Sequence, residues 1–160
     1  MEHMQGTLSR ERSDAFVDRI ETHWESHGWG LWAAEVPGVA PFIGYVGLWP
    51  AGYVTGAPMV EVGWREAQAY WGRGYISEAA RAALEFGFEV VGLDEIVSFT
   101  VPQNVRSRRV MERIGLVRDP SRDFDNPRVD PVAYPHIVPQ VFYALDRERW
   151  RNRSGTGPTR

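Results

Sequence analysis

The sequence predicts one α/β (α+β) domain built on a mixed sheet, and three observations lead there. The stretch from Met59 to Val101 reads strand, glycine turn, helix, strand. That is a βαβ unit, with parallel strands and a right-handed crossover. Ahead of it, Trp29 to Val36 and Phe42 to Trp49 read as an antiparallel hairpin, with Pro37-Gly38 opening the turn and Pro41 closing it. Finally, 160 residues suit a single domain with its own core.

Composition narrows the function classes. There is no cysteine, which excludes disulfides, thiolate metal sites and a cysteine nucleophile. The formal charge of −3 argues against a general nucleic-acid binder. No apolar run reaches membrane-span length, and the N-terminus lacks a signal-peptide pattern. A soluble, cytoplasmic protein is expected, without membrane or direct nucleic-acid partners. The seven tryptophans are many for this length and are candidate cleft walls.

Taken in order, Ser9 is placed to cap a helix from Arg10 to about Ser26. Its apolar residues Phe16, Val17, Ile20 and Trp24 recur at helical spacing. His23 and His27 lie four apart, a spacing open to a metal pair, but no third ligand accompanies them and an exposed polar face is expected. Gly28 and Gly30 end the helix, and the hairpin follows. Pro50 to Pro58 is a loop rich in Gly and Pro, and Met59 to Trp64 is the next strand. Ile76, Ala80, Ala83, Leu84, Gly87, Phe88 and Val91 form one apolar stripe of a helix that Gly92 closes. Glu95 to Val101 is a strand, and Asn104 then caps a helix through Ile114, stopped by Gly115. Leu116 to Arg118 reads as a short strand, and Asp119 to Pro139 as an irregular surface loop. The acids and His136 of that loop match no metal-ligand spacing. Val138 to Leu145 is the last strand. The domain is drawn as residues 1–150, with 151–160 a frayed tail.

The stretch Tyr70-Trp71-Gly72-Arg73-Gly74-Tyr75-Ile76-Ser77-Glu78 carries the chemistry. A strand runs into two glycines and then a helix. Glycine lets the backbone approach a ligand closely, and the first helical turn has unpaired N–H groups. With the positive end of the helix dipole and the Arg73 cation, the junction suits a phosphate or pyrophosphate. A nucleotide P-loop needs a Gly-Lys-Ser/Thr ending, and the chain has no lysine. Two glycines alone also suit a plain tight turn.

The stretch resembles the acetyl-CoA loop of the GNAT acyltransferases, Gln/Arg-x-x-Gly-x-Gly/Ala, with Trp71, Gly74 and Ile76 at the three marked positions. Trp71 replaces the usual Gln or Arg, and Ile76 the usual small residue. The resemblance runs from about Trp29 to Leu145, through Glu61-Val62-Gly63-Trp64, Asn104-Val105-Arg106-Ser107 and Val110-Met111-Glu112-Arg113-Ile114-Gly115-Leu116. It is strongest to the branch of ribosomal-protein N-terminal acetyltransferases. It implies a mostly antiparallel sheet with one splayed parallel pair and helices on both faces. Family members begin with a further strand and short helix, for which too few residues precede Leu8. Either the true start lies upstream of Met1, or that first strand is missing. The exposed edge would then need cover, for example in a homodimer.

The resemblance also implies roles. Acetyl-CoA is the co-substrate, and no metal is expected. Its pantetheine arm would pair with the backbone of Trp64, Arg65 and Glu66. Its pyrophosphate would rest on the N–H groups of Trp71, Gly72, Arg73, Gly74, Tyr75, Ile76 and Ser77. Asn104 is placed to hold the pantetheine arm or simply to cap its helix. Many family members carry a tyrosine acid seven residues after the Asn, and here that position is Met111. Ser107 matches the serine acid of the ribosomal-protein branch, and a helix-start serine bonding to backbone is the bland alternative. Tyr143 is a fallback donor. Glu61 suits the base that takes a proton from the amine, with Glu66 and His136 weaker candidates. The acceptor is an amine, a small molecule or a protein N-terminus, and Glu61 with Glu66 weakly favours a cationic one. A non-catalytic acyl-CoA sensor on the same fold is the rival reading.

Overall fold

The computed structural model describes residues 6–154. Helix α1, Arg10–His27, opens with the Ser9 hydroxyl accepting from the Arg12 N–H and closes on Gly28 in the left-handed conformation. Strands β1 (Leu31–Val36) and β2 (Ala40–Pro50) form the expected hairpin, and β3 (Val60–Glu66) pairs antiparallel with β2. Helix α2, Tyr75–Glu85, crosses back to β4, Glu95–Thr100. Helix α3 spans Val105–Ile114, β5 Val117–Arg118, β6 Phe124–Asp125, β7 Pro139–Asp146 and α4 Arg147–Ser154.

The sheet order is β1-β2-β3-β4-β7-β5, with β6 against β7. Among the described residues only β3 and β4 are parallel, and they share a single register pair, Glu61 with Val97. Beyond it the strands part. A mostly antiparallel sheet with one splayed pair is therefore the observed architecture. Among the described residues no strand precedes α1, and β1 is an edge of the sheet.

The core lies between the sheet and α2 with α3. Leu48, Val62, Ala80, Leu84, Ile96, Met111 and Tyr143 are buried there together. Each large apolar side chain so buried stabilises the fold by roughly 1.5–3 kcal/mol. Helix α1 covers the opposite face, where the Phe16 ring lies 5.6 Å from Tyr45 and 6.4 Å from Trp49.

Several boundaries differ from expectation. The α2 stripe does continue to Val91, but as a π-helical segment, Phe86–Val91. There Gly87 presses so close to the sheet that a Cβ would meet Ile96 at 2.6 Å, and the wider winding fits that approach. The irregular loop contains β6 and short 3₁₀ turns. Helix α4 runs four residues past Trp150 and is docked on the domain. Trp150 stacks on Phe88 and donates to Glu89, while Arg153 donates to the Ile114 carbonyl at the end of α3. The remainder of the expected tail lies outside the described residues.

Candidate active site

The site is the gap between β3 and β4. Its closed end is the Glu61–Val97 pair, and its mouth lies where the two strands end. From the mouth, β3 leads through a 3₁₀ turn, Gln68–Tyr70, and the two glycines into α2, while β4 leads through a short turn into α3. Two helix N-termini therefore stand at the open end, both positive.

The glycine turn has the geometry expected of an anion cradle. Gly72 and Gly74 have φ of 78° and 86°, and Gly74 caps α2 without any side-chain bond. The N–H groups of Gly72, Arg73 and Gly74 find no backbone acceptor among the described residues, and those of Tyr75, Ile76 and Ser77 lie in the first helical turn. The Trp71 N–H is different, because it already donates to the Gln68 carbonyl. Ile76 and Ser77 point their side chains into the protein, so only their backbone can face a ligand.

Trp71 brings an unexpected partner. Its indole N–H donates to the Glu66 carbonyl, and the Arg106 guanidinium lies 4.1 Å over its ring. Arg106 belongs to the first turn of α3, so this stack bridges the mouth. Nothing local to either segment signals it.

Strand alternation decides which backbone groups of β3 face the gap. The Ala67 N–H donates to Ile43 of β2, so Arg65, two residues earlier, also faces β2. Trp64 and Glu66 face the gap. The Arg65 backbone is thus not available to a ligand there, contrary to expectation. The same alternation sends the Glu61 and Glu66 side chains to opposite faces of the sheet, so they form no joint acidic pocket. The Glu66 Oε1 is buried without a hydrogen-bond partner among the described residues, and burial raises its pKa.

Asn104 caps α3 through the Ser107 N–H and donates to the Thr100 hydroxyl. Its amide is largely committed to that turn. Ser107 is half-buried, and its hydroxyl has no hydrogen-bond partner among the described residues. The bland alternative for this serine therefore lacks its bond. Met111 is a core residue. Tyr143, one strand removed from the gap, donates its hydroxyl proton to Glu112 and accepts from Arg108. As a spare proton donor it is badly placed.

Glu61 lies on the α1 face, paired across β2–β3 with Trp49. Burial pushes its carboxyl up to about 7, against the pull of Arg128. Tyr53 shares that environment: burial first, then Glu61, pushes its hydroxyl up to about 12, and Arg128 lies 3.5 Å over its ring. Next along this face is Gly63, where an added Cβ would meet only the Glu61 Oε1, at 3.7 Å. Apart from the adjoining residues, no other atom among the described residues lies within 4 Å of that position, and a carboxyl oxygen borders it. His23 and His27 stack at 4.1 Å, with His23 half-buried against Trp29 and Trp49 rather than on an exposed face. Burial and then His27 lower the His23 pKa. Among the described residues no three candidate ligands gather.

Residues 1–117 match the acetyltransferase (GNAT) domain. This chain belongs to the GNAT acetyltransferases. It is 30% identical over 116 residues to the uncharacterized protein YkkB of Bacillus subtilis, covering 72% of this chain and 67% of the relative. It is 30% identical over 146 residues to the FsC-acetyl coenzyme A-N(2)-transacetylase of Aspergillus fumigatus, covering 80% of this chain and 59% of that one. The chain thus spans about three-fifths to two-thirds of these two relatives' lengths. The crystal structure of a GNAT-family acetyltransferase from Bacillus anthracis superposes with a TM-score of 0.72 at 26% identity, over 92% of this chain and 81% of that chain. GNAT membership brings acetyl transfer to an amine, with acetyl-CoA the family's co-substrate.

Proposed function

We propose that this GNAT protein transfers an acetyl group from acetyl-CoA to a primary amine by direct attack, with Glu61 as base and Ser107 as acid. What supports the reading is the single-bridge gap, with a carboxyl whose pKa burial raises to about 7 on one face and, on the other, a serine hydroxyl without a hydrogen-bond partner among the described residues. Acetyl-CoA enters at the mouth. Its pyrophosphate rests on the N–H groups from Gly72 to Ser77, and Arg106 supplies the cation that Trp71 cannot. Its pantetheine arm pairs with Trp64 and Glu66 in the gap. Asn104 supports that arm chiefly by holding the turn after β4.

The amine nitrogen forms its bond to the thioester carbonyl above Gly63. It gives a proton to Glu61 directly or through water. Backbone N–H groups facing the gap stabilise the oxyanion. The carbon–sulfur bond then breaks, the thiolate takes the Ser107 proton, and solvent restores it. Acid and base serve different atoms, so their separation across the sheet suits the reaction. Among the described residues no helix is long and apolar enough to cross a membrane. A cytoplasmic setting suits a cysteine-free protein that uses acetyl-CoA.

Thiol release from acetyl-CoA with a panel of amines tests the reading. Amine-dependent release is expected. Tight acetyl-CoA binding with no release from any amine would instead make this a sensor.

A further inference from the structure

The start of α3 carries Asn104 and Ser107, and it is held from outside as well as from within. Within the turn, Asn104 donates to the Thr100 hydroxyl and accepts from the Ser107 N–H. These bonds tie the start of the helix to the end of β4. Local bonds of this kind move with the turn that makes them, so they do not fix it against the rest of the sheet.

The outside hold is Arg108, which is half-buried. Its main-chain N–H donates to the Asn104 carbonyl at 3.1 Å. Its guanidinium donates twice, to the Pro102 carbonyl at 3.1 Å and to the Tyr143 hydroxyl at 3.1 Å. Arginine suits the place, because its fixed fork of N–H groups serves two acceptors at once. Pro102 lies in the turn between β4 and α3, and Tyr143 lies on β7. Tyr143 is fully buried, in the core with Met111, so its hydroxyl is a fixed point. That hydroxyl also donates to the Glu112 carboxylate at 3.1 Å. Glu112 stands four residues after Arg108, so both side chains leave the same side of α3 and meet on one oxygen. At its other end α3 is held by Arg81, which donates to the Arg113 carbonyl, and by Arg153 on the Ile114 carbonyl. At the end that carries Asn104 and Ser107 the hold is Arg108.

Ser107 immediately precedes Arg108 in the chain. Whatever fixes one of them fixes the other's backbone. We infer that Arg108 is a positioning residue for the transfer reaction: anchored to Pro102 and Tyr143, it sets where the Ser107 hydroxyl stands against the departing sulfur. This rests on the reading of Ser107 as acid and adds to it the group that places it. Arg108 itself touches no reacting atom, because its guanidinium is spent on Pro102 and Tyr143. Tyr143 serves here as an anchor for α3.

Arg108→Met removes both side-chain bonds and keeps much of the bulk. Its kcat for amine-dependent thiol release should fall about three- to tenfold, because a small misplacement of a reacting group is costly. The KM for acetyl-CoA should hardly change. Arg108→Lys reaches one acceptor at a time and should recover part of the loss. Repeating Arg108→Met in a Ser107→Ala background decides the route. A residue that acts through the Ser107 hydroxyl has nothing left to place there, so its effect should shrink to less than about twofold. An equal loss in both backgrounds would overturn the inference and leave the acid reading standing. So would a parental kcat in Arg108→Met beside a slowed Ser107→Ala, whatever happens to the melting temperature. A parental kcat in Ser107→Ala, or no thiol release by the parent, would remove the acid reading and the inference with it. Should Arg108→Met fail to fold, Tyr143→Phe carries the same cycle, since it keeps the buried ring and loses only the hydroxyl.

Discussion

The two faces of the β3–β4 gap are built differently. On the α2–α3 face, the groups proposed to hold acetyl-CoA come from short, contiguous segments, Gly72 to Ser77 and Asn104 to Ser107, and most are backbone N–H groups. On the α1 face the groups are side chains scattered along the chain: Phe16, Tyr45, Trp49, Tyr53, Glu61 and Arg128. Backbone donors at a helix start serve any ligand with the right anion, whatever residues surround them. Scattered side chains specify a shape and a charge. A protein that keeps one co-substrate and varies its acceptor has reason to divide the work in this way.

The sharpest test of the division is Glu61. Glu61→Gln should lower kcat/KM by about 10²–10⁴-fold below pH 7, and the loss should shrink as pH rises above the carboxyl's value of about 7. A pH-rate profile checks it, and a loss independent of pH would make Glu61 a positioning group. Stability should move the other way. The folded carboxyl holds its proton more tightly than an unfolded one, so the parent loses stability as pH rises from the usual carboxylate range through about 7. Glu61→Gln should thus match the parent at pH 4 and exceed it at pH 8, by on the order of 3 kcal/mol at most. Urea melts at the two pH values would read this.

On the other face, Gly74→Val should weaken acetyl-CoA binding roughly 10- to 100-fold, because a β-branched residue resists the φ of 86° found there. Calorimetry measures it, and unchanged affinity would remove the glycine turn from the site. Ser107→Ala should cost kcat about 10–100-fold, the low end for an acid because a thiolate leaves readily. Acetyl-CoA affinity and melting temperature should hardly move, since the hydroxyl has no hydrogen-bond partner among the described residues. Full activity would send the search for a donor to solvent. Smallest of all, Arg106→Gln should weaken acetyl-CoA a few-fold, with a steeper loss at low salt than at high salt.

What could be read from the sequence follows the same division. The glycine turn, the Asn104 cap and the alternating strands are local patterns, and the structure keeps them within a residue or two. The strand position of Glu61 was legible, but its place at the closed end of the gap appears only in the pairing of β3 with β4. The Arg106–Trp71 stack and the Arg128–Tyr53 stack join segments far apart in the chain, so no spacing announces them. The π-helical ending of α2 was hidden too, because its apolar stripe reads the same under either winding over one turn.

The single bridge between β3 and β4 also has a consequence for the sheet itself. Trp64 and Glu66 belong to an interior strand, yet on one side their amides have no neighbour strand. In hydrogen exchange they should behave like an edge, opening long before Val62 beside them, and should become protected when acetyl-CoA is added. An ordinary edge invites a strand from another molecule and is an aggregation hazard. This one is closed at one end by the Glu61–Val97 pair, and α2 and α3 start at its mouth.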